Sequence, residues 1–174
     1  SVPARAGYDN FVEPVTVPWT SMFTPHDIAW STDGKVAMVV GYDMDEMINS
    51  WAYFSVNNTW MEVINPWTNA QNLTSVHYDT ITNRFWIVGQ EVGAEPTSVY
   101  FWNPSSSMYM DYNVPLLDYQ ISCVATDKWG NPAVFGHSLG FAYYLDVYNG
   151  AGSWTQIDGE LSILDQTYIW DVDY

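Results

Sequence analysis

The sequence predicts an all-β chain made of repeated four-stranded antiparallel sheets. Three observations carry that prediction. One spacing recurs: Ile28 to Gly41, Val76 to Gly89 and Cys123 to Gly136 are each thirteen residues. Each stretch turns through Asp, Asn or Gly, residues that tolerate positive φ, and then enters an apolar run that stops at the glycine. Two further strand-like stretches follow each glycine, and the glycines lie 48 and 47 residues apart. Four short strands at such a period describe a blade of a β-propeller, whereas a β-sandwich has no reason to repeat one spacing.

Taken in order, the first unit opens at Asp27-Ile28-Ala29-Trp30, turns at Ser31-Thr32-Asp33-Gly34, and runs on through Val36–Gly41. The second opens at Ser75-Val76-His77-Tyr78 and returns through Phe85–Gly89, and the third opens at Ser122-Cys123-Val124 and returns through Ala133–Gly136. Third strands are expected at Trp51–Val56, Val99–Trp102 and Phe141–Val147. Fourth strands are expected at Trp60–Val63, Tyr109–Tyr112 and Trp154–Asp158, each opened by an aromatic residue. Their alternation of polar and apolar residues is the period of a strand with one wetter face. The blades so defined cover about 26–64, 74–112 and 121–158.

The ends continue the pattern. Phe11-Val12-Glu13-Pro14-Val15 reads as a fourth strand, and 169–174 as the start of a first one, with Val172 in phase with Cys123. Three blades are fewer than the 4–8 of a closed propeller. The expectation is therefore a piece of a longer propeller, with the alternative that two copies supply six blades. Open blades expose sheet edges and apolar faces and so invite association.

Composition narrows the partners. The net charge is −16, and the basic residues Arg5, Lys35, Arg84 and Lys128 do not cluster. Nucleic acid binding requires cations to neutralise phosphates, so it is excluded, and anionic membranes are disfavoured for the same reason. No stretch reaches the roughly 20 apolar residues that cross a membrane. The ten Trp and thirteen Tyr suit strands packed face to face. Cys123 is the single cysteine, so no disulfide forms within the chain, and it reads as a small core residue.

No motif points to catalysis. His26, His77 and His137 lack metal-ligand spacing. No phosphate-binding glycine loop or nucleophile elbow is present, and no catalytic residue is assigned. Tyr42-Asp43-Met44-Asp45-Glu46 concentrates three carboxylates, a set of oxygens that suits Ca²⁺. The segment lacks the glycine and spacing of an EF-hand loop and reads first as a solvated acidic loop, so no cofactor is expected.

Trp30-Ser31-Thr32-Asp33-Gly34-Lys35, followed by Ala37-Met38-Val39-Val40-Gly41-Tyr42, resembles the repeat of WD-like β-propellers from secreted and cell-surface prokaryotic proteins. The second and third units depart from it, with Tyr78-Asp79 and Ala125-Thr126 in place of Trp-Ser. The Trp-Asp dipeptide of eukaryotic repeats is missing from the fourth strands. The resemblance implies a ligand-binding face built from the loops after the second and fourth strands. Mapped here, that face includes Tyr42, Asp43, Asp45, Glu46, Trp67, Gln90, Tyr119 and His137. The expected function is a non-catalytic extracellular module binding a protein or glycan, the alternative a carbohydrate-active lectin or glycosidase.

Overall fold

The computed structural model describes residues 16–19, 22–43, 48–63, 71–91, 97–106, 108–112, 119–138 and 143–158. The stretches 11–15 and 169–174, read above as partial strands, lie outside the described residues. Twelve strands and no helix occur among the described residues, in three four-stranded sheets. Sheet I holds β1 (Phe23–Trp30), β2 (Val36–Asp43), β3 (Ser50–Phe54) and β4 (Thr59–Glu62). Sheet II holds β5 (Gln71–Asp79), β6 (Arg84–Glu91), β7 (Thr97–Asn103) and β8 (Met108–Tyr112). Sheet III holds β9 (Tyr119–Thr126), β10 (Pro132–Ser138), β11 (Tyr143–Tyr148) and β12 (Trp154–Asp158). Each sheet is an antiparallel meander in chain order.

The repeat is more regular in space than in sequence. Every first strand carries a bulge against its second strand, between Pro25 and Asp27, Leu73 and Ser75, and Ile121 and Cys123. The extra residues are His26, Thr74 and Ser122, spaced 48 and 48. Just before each bulge the first strand faces the repeated glycine: Pro25 opposite Gly41, Leu73 opposite Gly89, Ile121 opposite Gly136. A bulge bends its strand and crowds the partner backbone. A Cβ on Gly89 would lie 2.6 Å from the Asn72 carbonyl oxygen and 2.8 Å from Leu73 Cα. Gly41 and Gly89 are therefore required by close backbone approach.

The bulge also corrects two expectations. The first strands begin at Phe23, Gln71 and Tyr119, about four residues before the sequence placed them, because the extra residue breaks the two-residue alternation. Leu73 and Val76 are three apart, yet both join the core between sheets I and II. In addition, Cys123 is not the counterpart of Val76. Val76 pairs with Ile87 and Val124 with Val134, so Cys123 stands where Ser75 does. The third turn is one residue shorter, and the true spacing there is twelve.

The sheets stack in one direction. Each has a leading face toward the next sheet and a trailing face toward the one before. Met38, Val40 and Ala52 of sheet I pack on Phe85, Ile87, Tyr100 and Trp102 of sheet II. Trp86, Val88 and Phe101 of sheet II pack on Ile121, Val124 and Val134 of sheet III. Tyr100, Trp102 and Phe85 are fully buried, and burial of an aromatic side chain of this kind contributes about 2–3 kcal/mol. The closest backbone approach between sheets is at the first and second strands.

Polar bonds repeat with the stack. His26 Nδ1 lies 2.7 Å from the Leu73 carbonyl, and the Thr74 hydroxyl donates to the Ile121 carbonyl at 3.0 Å. Thus a bulged residue binds the backbone of the residue that precedes the next bulge. Asp27, just past the first bulge, accepts from the Ser75 hydroxyl and the Val76 amide, both at 2.9 Å on one carboxylate oxygen.

The turns are stapled by their own side chains. In the Trp30–Lys35 segment the Ser31 hydroxyl and the Lys35 amide donate to one Asp33 oxygen at 2.8 and 3.1 Å, and Ser31 Oγ accepts from the Val36 amide. Lys35 Nζ sits 2.8 Å from the other Asp33 oxygen, and Gly34 takes φ of 67°. This motif closes a turn. The Lys35 hydrogen bond, then that from Ser31, lowers the Asp33 pKa from 3.8 to about 2. Stabilisation by this exposed carboxylate is complete above the unfolded pKa and fades as pH falls from about 4 toward 2. Lys35→Met should raise the Asp33 midpoint toward its ordinary value in an NMR titration, while an unchanged midpoint would discount the ion pair.

Candidate functional site

Of the site positions expected from sequence, Tyr42, Asp43, Gln90, Tyr119 and His137 are among the described residues and fall where first strands begin and second strands end. Tyr42 pairs with Thr24, Gln90 with Asn72, and His137 with Gln120. Each pair is one ladder step past a bulge-facing glycine. Tyr42, Gln90 and His137 are therefore equivalent positions on three successive sheets. Tyr119 closes the same end of sheet III, opposite Ser138. Tyr42 and His137 are half-buried.

Asp43 occupies a different environment from the solvated loop expected for it. It is the last residue of β2, pairs with Phe23, and is 2% exposed. Its amide donates to Asn49 Oδ1 at 2.8 Å, and the Asn49 carbonyl accepts from the Gly41 amide at 2.9 Å. Asn49 is itself buried and ties the start of β3 to the end of β2. Asp45, Glu46 and Trp67 lie outside the described residues. Among the described residues no group of three or more His, Cys, Asp or Glu side chains is placed to hold a metal ion.

Sequence reasoning missed His26, Thr74 and Asp27, which join one sheet to the next along the first strands. A polar residue recurring 48 positions apart, just before the apolar start of each unit, was the available signal. His77 belongs to the same joints, with Nε2 3.1 Å from the Thr126 hydroxyl.

The opposite end of the stack is electrostatically settled. Asp79 is 1% exposed and accepts from the amides of Ile81 and Thr82, both at 3.0 Å, and from the Thr82 hydroxyl. Burial pushes the Asp127 carboxyl up, but hydrogen bonds from Asn131 and the amides of Trp129 and Gly130 outweigh it and hold the pKa low. Burial, and then the charges of Asp33 and Asp79, raise the Tyr78 phenol. Carboxylates so committed to turn amides are poor candidates for chemistry on a substrate.

No protein-family model matches the sequence, and no curated protein matches it. Solved structures do resemble the fold. One is the extracellular domain of a B. thetaiotaomicron protein described as a one-component system, with TM-score 0.59 and 16% identity over 84% of this chain. A second, described as the extracellular domain of a hybrid two-component system from the same organism, gives TM-score 0.56 and 15% identity over 81% of this chain. A fucose lectin from Kordia zhangzhouensis, in complex with methyl-fucoside, gives TM-score 0.50 and 11% identity over 77% of this chain and 99% of its own. This chain spans only 18% and 17% of the two extracellular domains. At these identities the likeness concerns the fold alone: an all-β array of antiparallel four-stranded sheets.

Proposed function

We propose that the three sheets are successive blades of a β-propeller of the WD-like kind, working as an extracellular module that binds a protein or glycan without catalysis. The observation that carries this reading is the equivalence of Tyr42, Gln90 and His137, one ladder step past three equivalent glycines. Ladder ends that coincide on adjacent sheets offer a composite surface with a donor or acceptor from each. The face-to-face stacking of successive four-stranded meanders supports the propeller part, since blades pack in that way. The name of one neighbour, a fucose lectin, supports a glycan as the first ligand class to try.

A glycan array and a panel of chromogenic glycosides test the reading together. Binding without turnover is expected. Replacing Tyr42, Gln90 and His137 together by Ala should weaken any ligand at least about tenfold, the loss of roughly 1.4 kcal/mol. The melting temperature should shift little, because Tyr42 and His137 are only half-buried. Undiminished binding by the triple variant would move the site to another face, and glycoside turnover would replace the module by an enzyme.

A further inference from the structure

We propose that Asn57, at the tip of the β3–β4 turn, is the acceptor of an N-linked oligosaccharide. The inference takes only the extracellular setting from the reading above and is independent of the ligand face. The sequence holds two Asn-X-Ser/Thr tripeptides in which X is not Pro, Asn57-Asn58-Thr59 and Asn72-Leu73-Thr74, while Pro104 disqualifies Asn103-Pro104-Ser105. Such tripeptides arise often by chance, but the fold separates these two. Ser55, Val56, Asn57, Asn58 and Thr59 are all exposed, Val56 at 78%. The Thr59 hydroxyl donates to Asn57 Oδ1 at 2.7 Å, so the two groups that define the tripeptide stand side by side at an accessible tip. Asn58 between them takes φ of 53° and accepts from the Tyr53 hydroxyl at 3.0 Å, which fixes the turn.

Asn72 offers the opposite setting. It lies inside β5 and pairs with Gln90, and its Oδ1 is buried. Leu73 beside it is fully buried, and the Thr74 hydroxyl is committed to the Ile121 carbonyl of sheet III at 3.0 Å. A glycan added there before folding would keep β5 from seating, and after folding the tripeptide is out of a transferase's reach. At Asn57 a glycan projects away from the sheet, as a bulky, solubilising group on a surface turn does. The tip adjoins the β1–β2 turn, where the Ser55 amide donates to the Lys35 carbonyl at 2.9 Å. That is the end of β2 remote from Tyr42, about 20 Å along the strand, so the sugar shades Val56 and leaves the candidate site uncovered. In the transfer step, Asn57 Nδ2 attacks the anomeric carbon of an oligosaccharide carried on a lipid pyrophosphate. The N–C bond forms as the C–O bond to pyrophosphate breaks, the lipid pyrophosphate leaves, and one amide proton passes to a base of the transferase.

The full chain, exported behind a cleavable signal peptide through the secretory pathway of a eukaryotic host, tests the proposal by peptide mass mapping of both the secreted and the retained protein. One glycan per chain is expected, and peptide N-glycosidase should remove it and convert the glycosylated Asn57 to aspartate. Thr59→Ala should abolish the glycan with Asn57 still present, while Thr59→Ser and Asn72→Gln should keep it. Asn57→Gln should be secreted without a glycan, with the wild-type near-ultraviolet dichroism as the check on folding. The same variant should match the wild type on the glycan array, so a chain that binds nothing there leaves the acceptor result standing. Three outcomes overturn the proposal: a wild-type chain without a glycan, a glycan mapped to Asn72, or a glycan that survives Thr59→Ala.

Discussion

Gly89→Ala should destabilise the protein by about 3 kcal/mol, the upper part of the range for overpacking, because the methyl group meets backbone on the facing strand. The carbonyl oxygen of Asn72 and the Cα of Leu73 stand 2.6 and 2.8 Å from the new atom. Neither can rotate aside, and Leu73, which is fully buried, is held in the core between sheets I and II. Relief requires flattening the bulge, which would slip the first half of β5 by one residue and turn Leu73 away from the core. For a chain of this size the loss corresponds to roughly 10 °C in Tm. Gly34→Ala is the control. It has open space around its Cβ but a φ of 67°, so its cost is conformational and about 1 kcal/mol. Thermal melts of the two variants separate the explanations, and equal losses would mean that close approach is not why Gly89 is glycine.

Asp27→Ala should cost about 2–3 kcal/mol, the magnitude for losing hydrogen bonds to a charged acceptor with their donors left in place. One carboxylate oxygen accepts from both the Ser75 hydroxyl and the Val76 amide, which belong to residues only 6% and 5% exposed. Those bonds cross from sheet I to sheet II next to the bulge, where the ladder is locally disrupted. Asp27→Asn keeps an acceptor oxygen and should lose about half as much. Ser75→Ala removes only the hydroxyl and should cost about 1 kcal/mol. In a double-mutant cycle the Asp27 and Ser75 losses should fall short of additive by a measurable coupling energy. Strict additivity in urea denaturation would remove Asp27 from the joint between sheets.

Much of the fold was legible because β structure writes two local signals, turns and alternation. Asp33-Gly34, Asn57-Asn58 and Asn149-Gly150 marked turns that the structure confirms, with Gly34, Asn58 and Gly150 at positive φ. The apolar runs Val36–Gly41 and Phe85–Gly89 marked second strands correctly, since strands buried on both faces need no alternation. Legibility failed at the bulges. His26, Thr74 and Ser122 look like ordinary polar residues before a strand, and the alternation restarts after each. The same failure misaligned Cys123 with Val76, since a bulge and a shorter turn displace the register in ways that composition does not show.

The site was legible only as positions. Tyr42, Gln90 and His137 followed from the glycines, and the ladder makes them equivalent because each glycine faces a bulge at the same height in its sheet. Asp43 reads the same as Asp45 or Glu46 in sequence, yet it ends a strand and is buried.

By itself the sequence determined the strand class, the number of sheets and the turns, because these depend on local backbone preference. Only the tertiary structure decided which face of each sheet meets its neighbour, why Gly41 and Gly89 are glycine, and that Asp27, His26 and Thr74 join one sheet to the next. Those properties depend on contacts between residues about 48 positions apart, where a one-residue slip reverses every side chain.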